Sequence, residues 1–352
     1  MTSQSTEYYV RQASIQDFGP EGIAKLRGST IAVAGVGGVG SAAAYYLARS
    51  GVGGVRLIDQ DIIEPSNLAR MSSATREDLY HPKAETLAGK LSQFDSSSKI
   101  LPLVDTITDR NVDELLKGVD LILDGLDNFR TRYVLNRFAL RNKVPYMFVS
   151  AVAEQAHFAL LNPPNTPCLE CIMPRVSDRF ADSCETLGVT PAITGIAGAI
   201  GAETAIKFLV SGTSRLADEM LTVDMTRPEF VFSKLSKKKT CRACNNSSNP
   251  AVDSDSRVRL LCGEHTANIL PPKAMNIQLL EARATMPATA VIAGSESHLV
   301  YREGPYIVTV FPNGRLLIGQ IDDVHRAREI ATRVWRSLAE SETLNLKSEA
   351  RV

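Results

Sequence analysis

Thr30-Ile31-Ala32-Val33-Ala34-Gly35-Val36-Gly37-Gly38-Val39-Gly40-Ser41 is the stretch whose reading decides the fold. Its first five residues are short, largely apolar and partly β-branched, which suits a buried strand, and Gly35 ends it. After the glycine turn, residues 41–50 carry Ala, Tyr and Leu at helical spacing. A second short strand over 55–58 closes on Asp59. Strand, glycine turn, helix and strand in that order open a doubly wound α/β sheet, because a parallel neighbour needs a crossover helix.

The alternation continues downstream. The pattern predicts helices over 81–94, 112–117 and 130–142, and strands over 100–104, 119–123 and 145–150. A loop follows over 172–191, then a long helix over 193–210 whose Gly and Ala content suits close packing. Upstream, residues 8–26 read as an irregular or helical arm. Residues 245–255, rich in Asn, Ser, Asp and Pro, read as a linker. Beyond them 298–311 alternates as strands, Asn313-Gly314 is a hairpin signal, 315–318 is the returning strand, and 322–338 is an amphipathic helix. The expected organisation is a Rossmann-like, mainly parallel domain with a zinc-binding site over 1–248, a small α+β module over 249–340, and a flexible tail over 341–352.

Composition narrows the function classes. Hydrophobic residues are 44% and charged residues 22% of the 352, an ordinary globular balance. Lys+Arg and Asp+Glu both number 39, and zero net charge argues against a general nucleic-acid binder. The first ten residues show no basic flank before an apolar core, so no signal peptide is expected. The most apolar stretch, 189–202, is interrupted by Glu203 and Lys207 and is expected to be too short to span a bilayer. A cytoplasmic protein without membrane partners is the expectation.

The glycine turn predicts a nucleotide site. Gly35, Gly37, Gly38 and Gly40 follow a strand and open a helix, so backbone N–H groups and the helix N-terminus can face phosphate. Asp59 ends the next strand, where a carboxylate accepts hydrogen bonds from ribose hydroxyls. To this point NAD fits as well as ATP. Asn67, Arg70 and Lys83 shift the balance, as do Asp127 and Asn128, which follow an apolar strand at the carboxyl edge of the sheet. A triphosphate needs several charges neutralised, and these residues supply two cations, an acid and amides.

The cysteines suggest a metal. Cys168-x-x-Cys171 and Cys241-x-x-Cys244 are two thiolate pairs of zinc-ribbon spacing, and four thiolates suit a closed structural site. Cys184 lies between acidic Asp182 and Glu185, which would raise its thiol pKa. Cys262 follows an apolar run and reads as a packed thiol.

Residues 8–244 resemble the ThiF/MoeB/HesA family, relatives of ubiquitin-activating enzymes. The likeness rests on Arg11-Gln12, Gly35 to Gly40, Asp59, Asn67 to Arg70, Pro82-Lys83, Asp127-Asn128 and the paired Cys-x-x-Cys motifs, in that order. The resemblance implies an adenylyltransferase using ATP and Mg2+ on the C-terminal Gly-Gly of a ubiquitin-like or sulfur-carrier protein. It implies that Asp59 binds ribose, that Asn67, Arg70 and Lys83 hold phosphates, that Asp127 coordinates magnesium and that the four paired cysteines hold zinc. It further implies a homodimer in which Arg11 reaches the other subunit's site. Relatives carry a cysteine at the place of Cys184 that forms a thioester or persulfide-type link, although some do not need theirs. No glycine-rich cysteine loop of a rhodanese domain follows Cys262, and the C-terminal module serves either to extend the core or to dock a partner. The rival reading is an NAD-dependent oxidoreductase, which leaves Arg70, Lys83 and Asp127 without a role.

Overall fold

The computed structural model describes residues 8–94, 97–174, 188–245, 257–261, 265–273, 275–284 and 286–349. The chain divides into two units, Met1–Val252 and Asp253–Val352. The expected boundary at 248/249 falls outside the described residues, as do Cys184 with its acidic neighbours and Cys262.

In the first unit, helices α1 (Val10–Ala13) and α2 (Gly19–Gly28) form the N-terminal arm. The quoted stretch becomes β1 (Thr30–Ala34) and the start of α3 (Gly38–Arg49), followed by β2 (Gly54–Ile58). Then come α4 (Lys83–Leu91), β3 (Lys99–Leu103), α5 (Val112–Leu115), β4 (Leu121–Asp124), α6 (Phe129–Asn142) and β5 (Tyr146–Val152). The rest comprises β6 (Gln155–Leu161), α7 (Leu169–Ile172), α8 (Pro191–Ser211), β7 (Glu219–Asp224), β8 (Glu229–Lys234) and α9 (Arg242–Asn245).

The sheet order is β3-β2-β1-β4-β5-β6-β7-β8. Pairing is parallel from β3 to β5 and antiparallel from β5 to β8. The doubly wound half therefore appears as expected, and the three antiparallel strands extend it. Alternation along β1 sends Ile31 and Val33 into the core beneath α3 and α8, and Ala32 and Ala34 into the core beneath α6. Strand succession reverses between β1 and β4, which run parallel while β1 leads outward to β2 and β3 and β4 leads the other way to β5, so the loops that leave their carboxyl ends open a crevice.

Helix α8 is long and apolar enough to cross a membrane by length and composition alone. That corrects the expectation that the apolar stretch is too short. Its packing decides its role: Ile193, Ala197, Ala202, Ala205 and Ile206 are buried in the core of this unit. A Cβ on Gly198 would stand 2.6 Å from the Cβ of Ala42 on α3, so small residues are what let the two helices touch.

In the second unit, β9 (Val258–Leu261), β10 (Thr266–Ile269), β11 (Val291–Gly294), β12 (Leu299–Glu303), β13 (Tyr306–Val310) and β14 (Leu316–Gly319) form an antiparallel sheet in the order β11-β12-β13-β14-β10-β9. Helices α10 (Leu279–Ala284) and α11 (Val324–Glu349) complete the α+β module. Gly314 takes φ +83° in the expected hairpin turn, and the Trp335 indole N–H donates to its carbonyl at 2.7 Å. Leu299, Val308, Val310, Leu316 and Ile318 pack with Ala327, Ile330 and Val334 of α11. The helix runs to Glu349 rather than ending at 338, so the expected tail over 341–352 is helical for most of its length.

Candidate nucleotide site and four-cysteine centre

The site is built on the β1–α3 turn. Gly35 has φ +81°, a left-handed conformation that favours glycine. A Cβ on Gly40 would lie 1.8 Å from the Gly35 carbonyl oxygen, and one on Gly125 would lie 2.3 Å from the same atom. Those two positions are glycine because backbone meets backbone there. Gly37 is different: its φ is −68°, and an added Cβ would meet no protein atom within 4 Å. No neighbouring side chain or backbone crowds Gly37, so its backbone stands open to approach. An anion lying against the N-terminus of α3 meets the partial positive charge of a three-turn helix. Gly38 is backed by Thr194 of α8 and by the Arg70 carbonyl, 3.0 and 3.2 Å from an added Cβ.

Asp59 follows β2 and is nearly buried. Its Oδ2 accepts the Val36 N–H at 2.7 Å and its Oδ1 accepts the Asp61 N–H at 2.8 Å, which ties the glycine turn to the next strand. Burial pushes its carboxyl up to about 6, against the pull of Lys83 and with the push of Asp61. Each oxygen keeps acceptor capacity for a hydroxyl donor.

Lys83 is the first residue of α4 and only 4% exposed. Its backbone N–H donates to the Asp61 carbonyl at 2.9 Å and its Nζ lies 3.2 Å from Asp61 Oδ2. Sequence reading missed Asp61, although its place two residues after Asp59 is the signal that could have found it. Asn67 is buried in a 3-10 turn, Pro65–Asn67, and its Oδ1 accepts the Glu64 N–H at 3.0 Å. Arg70 follows that turn, half-buried, its Nη1 donating to the Ser66 carbonyl at 3.0 Å.

Across the crevice, the loop after β4 carries Asp127 and Asn128. Asp127 is exposed, and Asn128 Nδ2 donates to its Oδ1 at 3.2 Å. The Asn128 Oδ1 accepts the Thr131 N–H at 2.9 Å and so caps α6. The glycine turn, Asp59, Lys83 and the Asn67–Arg70 turn thus lie on one side of the crevice. Asp127 and Asn128 lie on the other, in contact through Gly125. Beneath Asp127 is a buried cluster that sequence reading missed, Asp124, Arg132 and Tyr146. Burial alone would lower Arg132, but the charges of Asp124 and, more weakly, Asp127 keep it raised.

Arg11 does not join this group. It is exposed on α1, where Gln12 Nε2 donates to the Ser50 carbonyl at 3.1 Å and the Tyr9 ring covers Gly51. Those contacts hold the arm at the C-terminal end of α3, the end opposite the glycine turn. Twelve residues of helix separate the two ends, about 18 Å at 1.5 Å per residue.

The four paired cysteines converge. Cys168 precedes α7 and Cys171 lies within it, while Cys241 precedes α9 and Cys244 lies within it. Cys168 Sγ is 4.0 Å from Cys171 Sγ and 3.7 Å from Cys241 Sγ, and Cys171 Sγ is 3.6 Å from Cys244 Sγ. All four sulfurs lie within 4.8 Å of one another. A tetrahedral zinc with bonds near 2.3 Å spaces its sulfurs about 3.8 Å apart, so the residues fit that ion. The Leu169 N–H donates to Asn136 Oδ1 at 2.9 Å, which anchors the first pair to α6. Burial pushes the Cys168 thiol up and Cys244 to about 11, the cost that a bound cation offsets.

Comparison with known proteins gives consistent results. The ThiF family model matches residues 9–245. The chain is 27% identical over 331 residues to the sulfur carrier protein ThiS adenylyltransferase of Bacillus subtilis, covering 92% of this chain and 98% of that one. It is 32% identical over 286 residues to the adenylyltransferase and sulfurtransferase MOCS3 of Drosophila willistoni, covering 80% of this chain but only 61% of that protein. The heterocyst protein HesA of Trichormus variabilis is 30% identical over 246 residues, 70% of this chain and 91% of its own. Among solved structures, E. coli MccB crystallised with MccA-N7isoASN superposes with a TM-score of 0.60 at 23% identity, over 67% of this chain and 74% of that one. That last likeness speaks to the fold.

Proposed function

We propose that this chain, which belongs to the ThiF family and is an adenylyltransferase, transfers AMP from ATP to the C-terminal carboxylate of a small sulfur-carrier or ubiquitin-like protein ending in Gly-Gly. The observation that carries the reading is the open backbone at Gly37, at a helix N-terminus beside a nearly buried acid, a buried lysine and the loop that carries Asp127. The relatives named for ThiS adenylylation and for MOCS3 support a carrier protein as the substrate.

The attacking group is already an anion, so the reaction needs no general base. A carboxylate oxygen bonds to the α-phosphorus while the bond to the β-phosphate oxygen breaks, and pyrophosphate carries away the electron pair. The protein's contribution is alignment and charge. The amides of the glycine turn would receive phosphate, Asp59 would hold the ribose hydroxyls, and Asn67, Arg70 and Lys83 would draw the charge of the phosphate chain. Asp127, exposed on the opposite lip, is the carboxylate that would hold a magnesium ion, and that ion, when bound, supplies positive charge to the phosphates. The position of Arg11 at the far end of α3 supports a homodimer in which it serves the partner subunit's site. The four cysteines would hold zinc as a structural staple, which suits a reducing, cytoplasmic compartment.

Cys184 is the thiol that would take the acyl group from the adenylate, with a C–S bond formed and AMP released. Trapping tests both steps. Incubation with ATP and the cognate carrier should yield a carrier heavier by one AMP and a thiol-labile enzyme–carrier adduct, and a Cys184→Ala variant should keep the first and lose the second. No adenylated carrier from any folded Gly-Gly protein would contradict the reading. The NAD alternative draws on the same glycine turn and Asp59 but gives no use to Lys83 or Asp127.

A further inference from the structure

The loop that carries Asp127 is held from below by three side chains that the chemistry above does not use. Asp124, the last residue of β4, and Tyr146, the first of β5, are fully buried, and Arg132 of α6 is 2% exposed. Asp124 Oδ2 accepts the Tyr146 hydroxyl at 2.6 Å and the Arg132 Nε–H at 3.0 Å. Its other oxygen, Oδ1, accepts the Leu126 N–H at 2.9 Å. Arg132 Nη2 donates to the Val149 carbonyl at 3.0 Å and to the Leu126 carbonyl at 2.5 Å. The rings of Phe129 and Phe148 flank the guanidinium at 5.1 and 5.3 Å.

Both polar groups of the Leu126 backbone are therefore claimed by one buried ion pair, and the next residue is Asp127. One residue earlier, Gly125 donates its N–H to the Ala34 carbonyl at 2.8 Å and lies against Gly35 and Gly40. The loop is fixed on one side to the ion pair and on the other to the glycine turn. A buried ion pair is a weak source of stability compared with apolar side chains of similar volume, because both charges must be desolvated. Apolar side chains, however, could not hold the N–H and C=O of Leu126 in one arrangement.

We propose that Asp124, Arg132 and Tyr146 are positioning residues that set the Asp127 carboxylate against the glycine turn. They touch no substrate and act through Leu126 and Gly125. The proposal rests on the adenylation reading, in which Asp127 takes the metal.

The test uses the full chain with Tyr146→Phe, which removes one hydrogen bond and keeps the ring, and Arg132→Lys, which keeps the charge and loses the fork. The readouts are Mn2+ binding in the presence of ATP by electron paramagnetic resonance, ATP binding without a divalent ion by calorimetry, and thermal unfolding. Outer-shell partners of metal ligands typically matter by about 10–100-fold in affinity. Arg132→Lys is expected to weaken Mn2+ binding in that range, and Tyr146→Phe by roughly three- to tenfold. Metal-free ATP binding should stay within about twofold in both, because the glycine turn and Asp59 are untouched. If Arg132→Lys does not fold, Tyr146→Phe decides alone. Wild-type Mn2+ affinity in a folded Tyr146→Phe would overturn the proposal while leaving adenylation standing. A wild-type chain that binds ATP but no Mn2+, and exchanges no pyrophosphate, would overturn the adenylation reading and the proposal together.

Discussion

The carbonyl oxygen of Gly35 stands 1.8 Å from where a Cβ on Gly40 would be, so position 40 admits no side chain at this separation. Gly37, between them, faces no protein atom within 4 Å. One motif thus contains a glycine hemmed in by backbone and a glycine open to what approaches it, and substitution separates them.

Gly40→Ala should lose several degrees of thermal stability or fail to fold, because backbone must move to relieve the overlap. Gly37→Ala, whose added methyl meets no protein atom, should lose less stability than Gly40→Ala while binding ATP at least about tenfold more weakly. Calorimetry and a thermal scan on both variants check this, and undiminished ATP binding by Gly37→Ala would count against the phosphate cradle.

The raised carboxyl of Asp59 gives a pH signature. With its folded value near 6 and its ordinary value at 3.8, the group favours folding most below 3.8, and that contribution is lost as pH rises through about 6. Asp59→Asn should therefore match wild type in denaturant unfolding below 3.8 and become the more stable of the two above 6. Nucleotide affinity runs the other way. Ribose hydroxyls donate to the ionised form, so wild-type affinity should fall as pH drops below about 6, and the variant should bind weakly throughout. Parallel stability curves for the two proteins would refute the burial argument.

The four-sulfur cluster predicts stoichiometric zinc by elemental analysis. A strong chelator, or Cys168→Ala, should release it and lower the thermal midpoint by roughly 10 °C or more, because structural zinc contributes folding energy directly. A metal-free protein that unfolds at the same temperature would show that the thiols need no ion.

Arg11 lies at the wrong end of α3 to serve its own site, which predicts complementation. Arg11→Ala and Asp127→Ala should each be inactive alone. Mixed and allowed to exchange subunits, they should recover roughly a quarter of wild-type activity, since half the dimers of a twofold assembly then carry one intact site. No recovery from a mixture shown to form mixed dimers would count against the shared site.

The parallel half of the sheet was legible because β1, β2 and β4 are short apolar runs punctuated by Gly35, Asp59 and Gly125. The candidate residues Gly35, Asp59 and Asp127 could be read because they follow strand ends, and Lys83 because it opens a helix. Strand β8 was not, since it is exposed along its whole length and carries no burial pattern to read. The Asp61 partner of Lys83 and the Asp124–Arg132–Tyr146 cluster were hidden for another reason. Their meaning lies in contacts between residues 8 to 22 positions apart, and a single chain shows no mark of those. The helix over 324–349 was cut short because its last residues lose apolar periodicity, although Ala, Glu, Leu and Lys there are good helix formers.

ATP–pyrophosphate exchange with a panel of folded small proteins ending in Gly-Gly tests the central claim most directly. The account predicts exchange with at least one carrier, lost in Asp127→Ala and reduced about 10²–10³-fold in Lys83→Ala and Arg70→Ala. Exchange that survives intact in all three variants, or no exchange with any carrier while NAD binds tightly, would contradict it.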